Sequence, residues 1–226
     1  MTRPIVVIGA SGFGREALDA IVAVNSAEVG ETFEVLGVVD DAPSPENLAR
    51  LERRGVRHLG GMEGWLASMS SVEGADRPSY VVGIGDPSVR ARIAARLDAF
   101  GLRAARVVHP TAVVGTNVSI GEGVVICAGA VISTEVVLGR HCHVNPGAVI
   151  GHDTRLGDFV SINPNATISG ACVIGPQTLV GAGAVVLQGL TVGSGVTVGA
   201  AACVTRSVPD GVIVKGVPGR WNTSGL

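Results

Sequence analysis

The chain has 226 residues, a formal net charge of −2 and 33 glycines, and its apolar content is lopsided: 46% of residues are hydrophobic but only 3% are aromatic. Near-neutral charge gives no electrostatic pull toward nucleic acid or an anionic membrane, no apolar run approaches the roughly 18 residues of a membrane span, and the start MTRPIVVIGASG lacks the parts of a secretory leader. These features predict a cytoplasmic protein without nucleic-acid partners or membrane insertion, built around small and β-branched side chains. Cys127, Cys142, Cys172 and Cys203 form no CxxC pair and sit in apolar segments, which predicts buried reduced thiols rather than disulfides.

The first half follows βαβ grammar. An apolar run and glycine loop, PIVVIGASGFG, precede a helical pattern from Arg15 to Val24; VLGVVDD at 35–41 and SYVVGIGD at 79–86 read as further strands. The segment 86–101 reads as a helix, with Asp86 as its cap, Pro87 in its first turn and Gly101 after its last apolar position. The run ARVVHP at 105–110 is expected to return as a strand, while residues 42–78 carry little pattern. Residues 1–108 are therefore predicted to form a small Rossmann-like α/β domain with a mainly parallel sheet. Gly9, Gly12 and Gly14 lie where a phosphate could meet a helix N-terminus. Ser11 stands at the second glycine of G-x-G-x-x-G, however, and the domain is too short for two nucleotide-binding halves, which argues against an NAD enzyme.

From residue 112 a six-residue repeat takes over. Stepping by six from Val114 to Val204 meets sixteen aliphatic residues; the residue two places earlier is always small or apolar, and the residue just after is glycine nine times. A random chain would not sustain this. Such a repeat predicts a stacked β-solenoid over residues 109–226, with one aliphatic side chain per short strand pointing inward, Gly or Asn at the corners, and no room for aromatics.

The unbroken hexapeptides resemble those of the left-handed parallel β-helix acyltransferases, with three hexapeptides per coil, and the ending GVIVKGVPGRW is similar to that family's terminal G-V-P-A motif, with Gly219 in the alanine position. The added N-terminal features GASGFG, VVDD at 38–41, VGIGDPSVR at 82–90 and VVHPTA at 107–112 narrow the resemblance to bacterial sugar acetyltransferases, the nucleotide-amino-sugar N-acetyltransferases and sialic acid O-acetyltransferases. If each coil takes about 18 residues, residues 18 apart stack about 4.8 Å apart. His152 is then expected beside Gly170, and Asn145 beside Asn163.

A corner histidine followed by a carboxylate can act as a general base, because imidazole titrates near neutrality and the carboxylate orients it. The resemblance implies that role for His152 with Asp153, where the family more often has His-Glu; it also implies an acceptor-binding role for Asn145, and a second family histidine is absent at Ser161. His109, His141 and His143 read as structural. The resemblance further implies acetyl-CoA as donor, held along a groove between neighbouring β-helices of a homotrimer, with Gly170 offering its N–H to the thioester oxygen and Gly181, Ala182, Val217, Pro218 and Arg220 contacting the rest. It implies that Ser11, Gly12, Phe13, Asp40 and Asp41 bind the nucleotide of a nucleotide-linked sugar, with Phe13 standing where many relatives carry histidine. No metal is expected: a zinc hydratase of the same fold would need a second histidine soon after His152, and 153–160 has none. The expected activity is N-acetylation of an amino sugar. O-acetylation of a sugar hydroxyl is the alternative, and a non-catalytic trimeric scaffold is the third reading.

Overall fold

The computed structural model describes residues 2–27, 32–72 and 77–222. The chain divides into two compact units, Met1–Val107 and Val108–Leu226.

The first unit contains β1 (Thr2–Ile8), α1 (Gly12–Ser26), β2 (Thr32–Val39), α2 (Pro45–Glu52), α3 (Met62–Met69), β3 (Ser79–Val82) and α4 (Pro87–Ala99). Its three strands are all parallel in the order β2-β1-β3. Central β1 is an unbroken apolar run because helices cover both faces: Ile5, Val6 and Val7 are fully buried. The chain leaves β1 for one neighbour and later returns to the other side, so the sheet order reverses beside β1, where the carboxyl ends of strands in such sheets leave a crevice. Helices α2 and α3 fill the stretch where the sequence showed little pattern. Each has only eight residues, too few for a periodicity to stand out, although Ser44 caps α2 by accepting from the Asn47 N–H at 3.2 Å.

Asp86 caps α4 as expected, accepting from the N–H groups of Ser88 and Val89, both at 2.9 Å. The bond from Val89, then that from the Ser88 hydroxyl, holds the Asp86 carboxyl below the usual carboxylate range. Its contribution is complete above the unfolded-state pKa and is lost as pH falls through the lower folded value. Asp86→Ala should therefore lower stability by about 1 kcal/mol at neutral pH. In denaturant titrations, that difference should shrink under strongly acidic conditions.

The strand expected at 105–110 forms as β4 (Val107–Val108), but it opens a seven-stranded face of the solenoid; beside β3 the α/β sheet gains an isolated bridge, Tyr80 to Ala104. Two adjacent valines suit either sheet, and nothing local distinguishes them.

From β4 onward, two-residue strands stack in parallel on three faces of seven, six and five strands. Partners lie eighteen residues apart, as in Val149 with Thr167 and Ile150 with Ile168. The second residue of each strand points inward. From Ile126 to Val204 that row is at most 2% exposed, and it forms the core together with the small side chains two positions earlier. The corners differ from expectation in an instructive way. At fifteen consecutive places, from Asn117 to Ala201 in steps of six, the corner residue has φ between 53° and 72°, and nine of the fifteen are not glycine. The nine repeat glycines just after the inward row have no such φ. They are small because the next coil's backbone passes over them: a Cβ on Gly151 would collide with the Gly170 nitrogen.

Candidate active site

His152 and Asp153 form the corner between strands Val149–Ile150 and Arg155–Leu156, at the edge shared by the six- and five-stranded faces. Asp153 takes the left-handed conformation at φ 60°, which a short polar side chain tolerates. The corner is tied on both sides: Asp153 N–H donates to the Thr134 carbonyl at 3.2 Å, and Ala171 N–H donates to the His152 carbonyl at 2.7 Å. The imidazole and carboxylate are 51% and 59% exposed, with His152 Nδ1 at 2.7 Å from Asp153 Oδ2. An ionised carboxylate can only accept, so Nδ1 carries a proton, and in the neutral ring Nε2 then holds the lone pair.

That lone pair faces the next coil. A Cβ built on Gly170 would stand 2.5 Å from His152 Nε2, so the ring lies over the glycine as the eighteen-residue step predicted. The Gly170 N–H donates to no acceptor among the described residues. An exposed imidazole thus covers a buried glycine whose amide donor is unspent, and a base nitrogen with an amide donor is the pairing needed to deprotonate a nucleophile and stabilise the oxyanion it creates.

Asn145 stands at another corner, between the seven- and six-stranded faces. It is 7% exposed, and its Nδ2 donates to the Ile162 carbonyl at 3.0 Å and to Asn163 Oδ1 at 3.4 Å, leaving Oδ1 to offer. Gly181 and Ala182 continue that corner two coils on. Within one chain, the residues singled out from sequence therefore occupy the two opposite edges of the six-stranded face. Val217, Pro218 and Arg220 belong to a terminal reverse turn. Gly219 N–H donates to the Cys203 carbonyl at 2.6 Å and Cys203 N–H to Gly216 at 3.1 Å, which closes the end of that face.

Two residues escaped the sequence reading. Gln188 follows Gly170 along the His152 edge, and Arg206 occupies the next corner, its guanidinium 4.7 Å from the Trp221 ring centroid. Repeated steps of eighteen from His152 would have found both. Exposed corner side chains follow no pattern of their own, and the Arg206 corner is two residues shorter, so that Val192 bridges Val208.

In the first unit, a cleft of about 490 Å³ is lined by residues including Gly9, Asp40, Asp41, Ile84, Arg92 and Arg96. The acidic pair is already engaged: Asp40 Oδ2 accepts from Ala10 N–H at 2.8 Å, its Oδ1 from Ala42 N–H at 3.0 Å, and Asp41 Oδ1 from Met62 N–H at 2.7 Å. Ser11 precedes the first turn of α1 and makes no side-chain cap bond; neither it nor Gly12 nor Phe13 lines the cleft. His141 and His143 are buried, with His141 stacked on Phe159 at 5.2 Å, and His109 Nδ1 lies 2.8 Å from the Thr111 hydroxyl. No group of three or more metal-ligating side chains converges among the described residues.

This solenoid, with its histidine corner, defines the class of hexapeptide-repeat transferases with an appended α/β unit. Residues 4–97 match the PglD N-terminal domain, and residues 135–170 match the bacterial transferase hexapeptide (six repeats). A search of curated protein sequences finds no significant match. Among solved structures, the acetyltransferase domain of PglB from Neisseria gonorrhoeae FA1090, in complex with acetyl coenzyme A, is 32% identical with TM-score 0.81, covering 98% of this chain and all (100%) of that one. A variant of perosamine N-acetyltransferase from Caulobacter crescentus, in complex with CoA and GDP-perosamine, is 29% identical with TM-score 0.85, covering 98% and 97%. WeeI from Acinetobacter baumannii AYE is 27% identical with TM-score 0.80, covering 98% and 100%. The chain belongs to the family of left-handed β-helix sugar acetyltransferases that carry a PglD-like N-terminal domain, and it is an acyltransferase.

Proposed function

We propose that this chain transfers the acetyl group of acetyl-CoA directly to the amine of a nucleotide-linked amino sugar, with His152 as general base. The observation that carries the reading is the His152 ring lying with Nε2 over Gly170, whose N–H is unspent among the described residues. The amine nitrogen attacks the thioester carbonyl carbon, its proton passes to Nε2, and the Gly170 N–H holds the carbonyl oxygen as it becomes an oxyanion. Asp153 fixes the ring and stabilises the imidazolium. Collapse breaks the carbon–sulfur bond, and the thiolate leaves as CoA after taking the proton. The CoA and GDP-perosamine bound by the Caulobacter relative support both substrate classes.

The donor lies along the His152 edge. Glu135 and Asp153 make its early coils acidic and Arg206 makes its end basic, so the phosphates of CoA point toward Arg206 and the pantetheine passes Gln188. The nucleotide occupies the cleft of the first unit against Asp40 and Asp41 and extends beyond its lining to Ser11, Gly12 and Phe13.

The active assembly is a homotrimer. Along the six-stranded face the outward residues are Val113, Val131, Val149, Thr167, Val185 and Cys203, none of them charged, with Val113 60% exposed. A neighbouring copy against this face would bring its own Asn145, Gly181 and Ala182 edge toward His152. Light scattering should give three times the 22.8 kDa chain mass. A fully active monomer would refute the shared site. No helix among the described residues is long and apolar enough to cross a membrane, and the proposed setting is the cytoplasm, where acetyl-CoA is available.

The test is CoA-thiol release from acetyl-CoA with UDP-, GDP- and dTDP-linked amino sugars, free sialic acid and CMP-sialic acid. Turnover on one amino sugar supports the proposal; turnover confined to hydroxyl acceptors replaces it with O-acetylation.

A further inference from the structure

The buried position two residues before each inward aliphatic is Ala, Val or Leu in twelve of sixteen coil segments, so a corner of this solenoid forms without a polar group there. Thr154 is an exception, fully buried two residues after His152. Its hydroxyl donates to the Ser169 carbonyl at 3.1 Å and accepts from the Cys172 N–H at 3.3 Å, bridging both ends of the turn that carries Gly170.

Ser169 C=O and Gly170 N–H belong to one planar trans peptide, so they point in opposite directions. Fixing the carbonyl toward the buried hydroxyl fixes the N–H the opposite way, outward from the coil that His152 overlies, and a hydrogen bond to the carbonyl also polarises the N–H as a donor. The fold supplies its own comparison in Thr178, also fully buried, which donates to the Gly193 carbonyl at 2.7 Å and accepts from Val196 N–H at 3.2 Å. There the peptide N–H, that of Ser194, is consumed by Asp210 Oδ1 at 2.7 Å. The two threonines make the same pair of bonds, but only Thr154 aims an amide left unspent.

We infer that Thr154 is a positioning residue for acyl transfer, holding the Gly170 peptide so that its N–H meets the thioester oxygen; this rests on the site reading above. Three consecutive residues, His152, Asp153 and Thr154, would then supply the base, its orienter and the aim of the oxyanion donor.

The test uses the full-length protein with acetyl-CoA labelled with ¹³C at the carbonyl, read by difference infrared spectroscopy. Bound to wild type, the carbonyl stretch should move to lower frequency than in solution. Thr154→Val and Thr154→Ala should lose most of that shift, Thr154→Ser should keep it, and Thr178→Val should keep it whatever it does to the thermal midpoint. With the acceptor that turns over, kcat should fall about tenfold in Thr154→Val, a fraction of the cost of deleting an oxyanion donor outright, with KM for acetyl-CoA within about twofold. A shift and kcat preserved in both Thr154→Val and Thr154→Ala, or lost equally in Thr178→Val, overturns the role of Thr154 alone. No shift in wild type overturns the site reading beneath it.

Discussion

Replacing His152 with alanine should lower kcat for acetyl transfer by about 10²- to 10⁴-fold, the usual worth of a positioned general base, while acetyl-CoA binding changes little. The side chain is half exposed, and its one hydrogen bond among the described residues is to its own neighbour, Asp153, so its loss uncovers Gly170 but breaks no hydrogen bond of a buried group. The variant should therefore melt with wild type, and the effect should appear in turnover alone. With an amine acceptor, residual activity should climb with pH as solution deprotonates the nucleophile in place of Nε2. Asp153→Ala should fall between the two, because the imidazole remains but turns freely. Wild-type turnover in His152→Ala would remove the base from the mechanism.

Gly170→Ala should be nearly as damaging by a different route. The new methyl would stand 2.5 Å from His152 Nε2, and the imidazole is the part able to move, so the ring swings off the edge and the base is lost while the fold survives. Gly170 is not among the residues with positive φ, so alanine meets no backbone strain and even restricts the unfolded chain. The expected outcome is a kcat loss of about 10²-fold or more with an unchanged or slightly raised thermal midpoint. Gly151→Ala, nineteen residues earlier, provides the contrast. Its methyl meets the backbone of the next coil, which cannot turn aside, so it should cost about 1–3 kcal/mol of stability before any effect on chemistry is measurable. If Gly170→Ala proves the less stable of the two, the ring does not lie over the glycine as described.

Much of this arrangement was legible in the sequence because the solenoid converts spacing directly into neighbourhood. Once the family resemblance supplied three hexapeptides per coil, a step of eighteen placed His152 over Gly170 and Asn145 over Asn163, and the inward row from Val114 to Val204 was readable residue by residue. What stayed hidden depends on partners outside the repeat. Val107–Val108 reads as a strand in either unit, and only the stacking of later coils assigns it to the solenoid. Nothing in the sequence shows that Asp40 and Asp41 also accept from backbone N–H groups, of Ala10 and Ala42 for the first and of the distant Met62 for the second. The two uses of glycine could not be separated either. A residue forced small by an overhead backbone and one chosen for positive φ are the same letter, and only geometry shows that the true corner lies two positions after Gly151, at Asp153.

The fixed interval between corners also limits how such a chain can change length. Adding or removing one residue inside a coil would turn every later inward aliphatic away from the axis and bring every left-handed corner to a residue not selected for it. Insertions and deletions are thus confined to whole coils, or to a corner whose excess can bulge into solvent or whose shortfall nothing beyond must match. The chain makes one such change, dropping two residues at the Arg206 corner, where few strands remain to be kept in phase. Gene duplication in units of one turn, rather than gradual drift in length, is the route by which a molecule of this kind can grow.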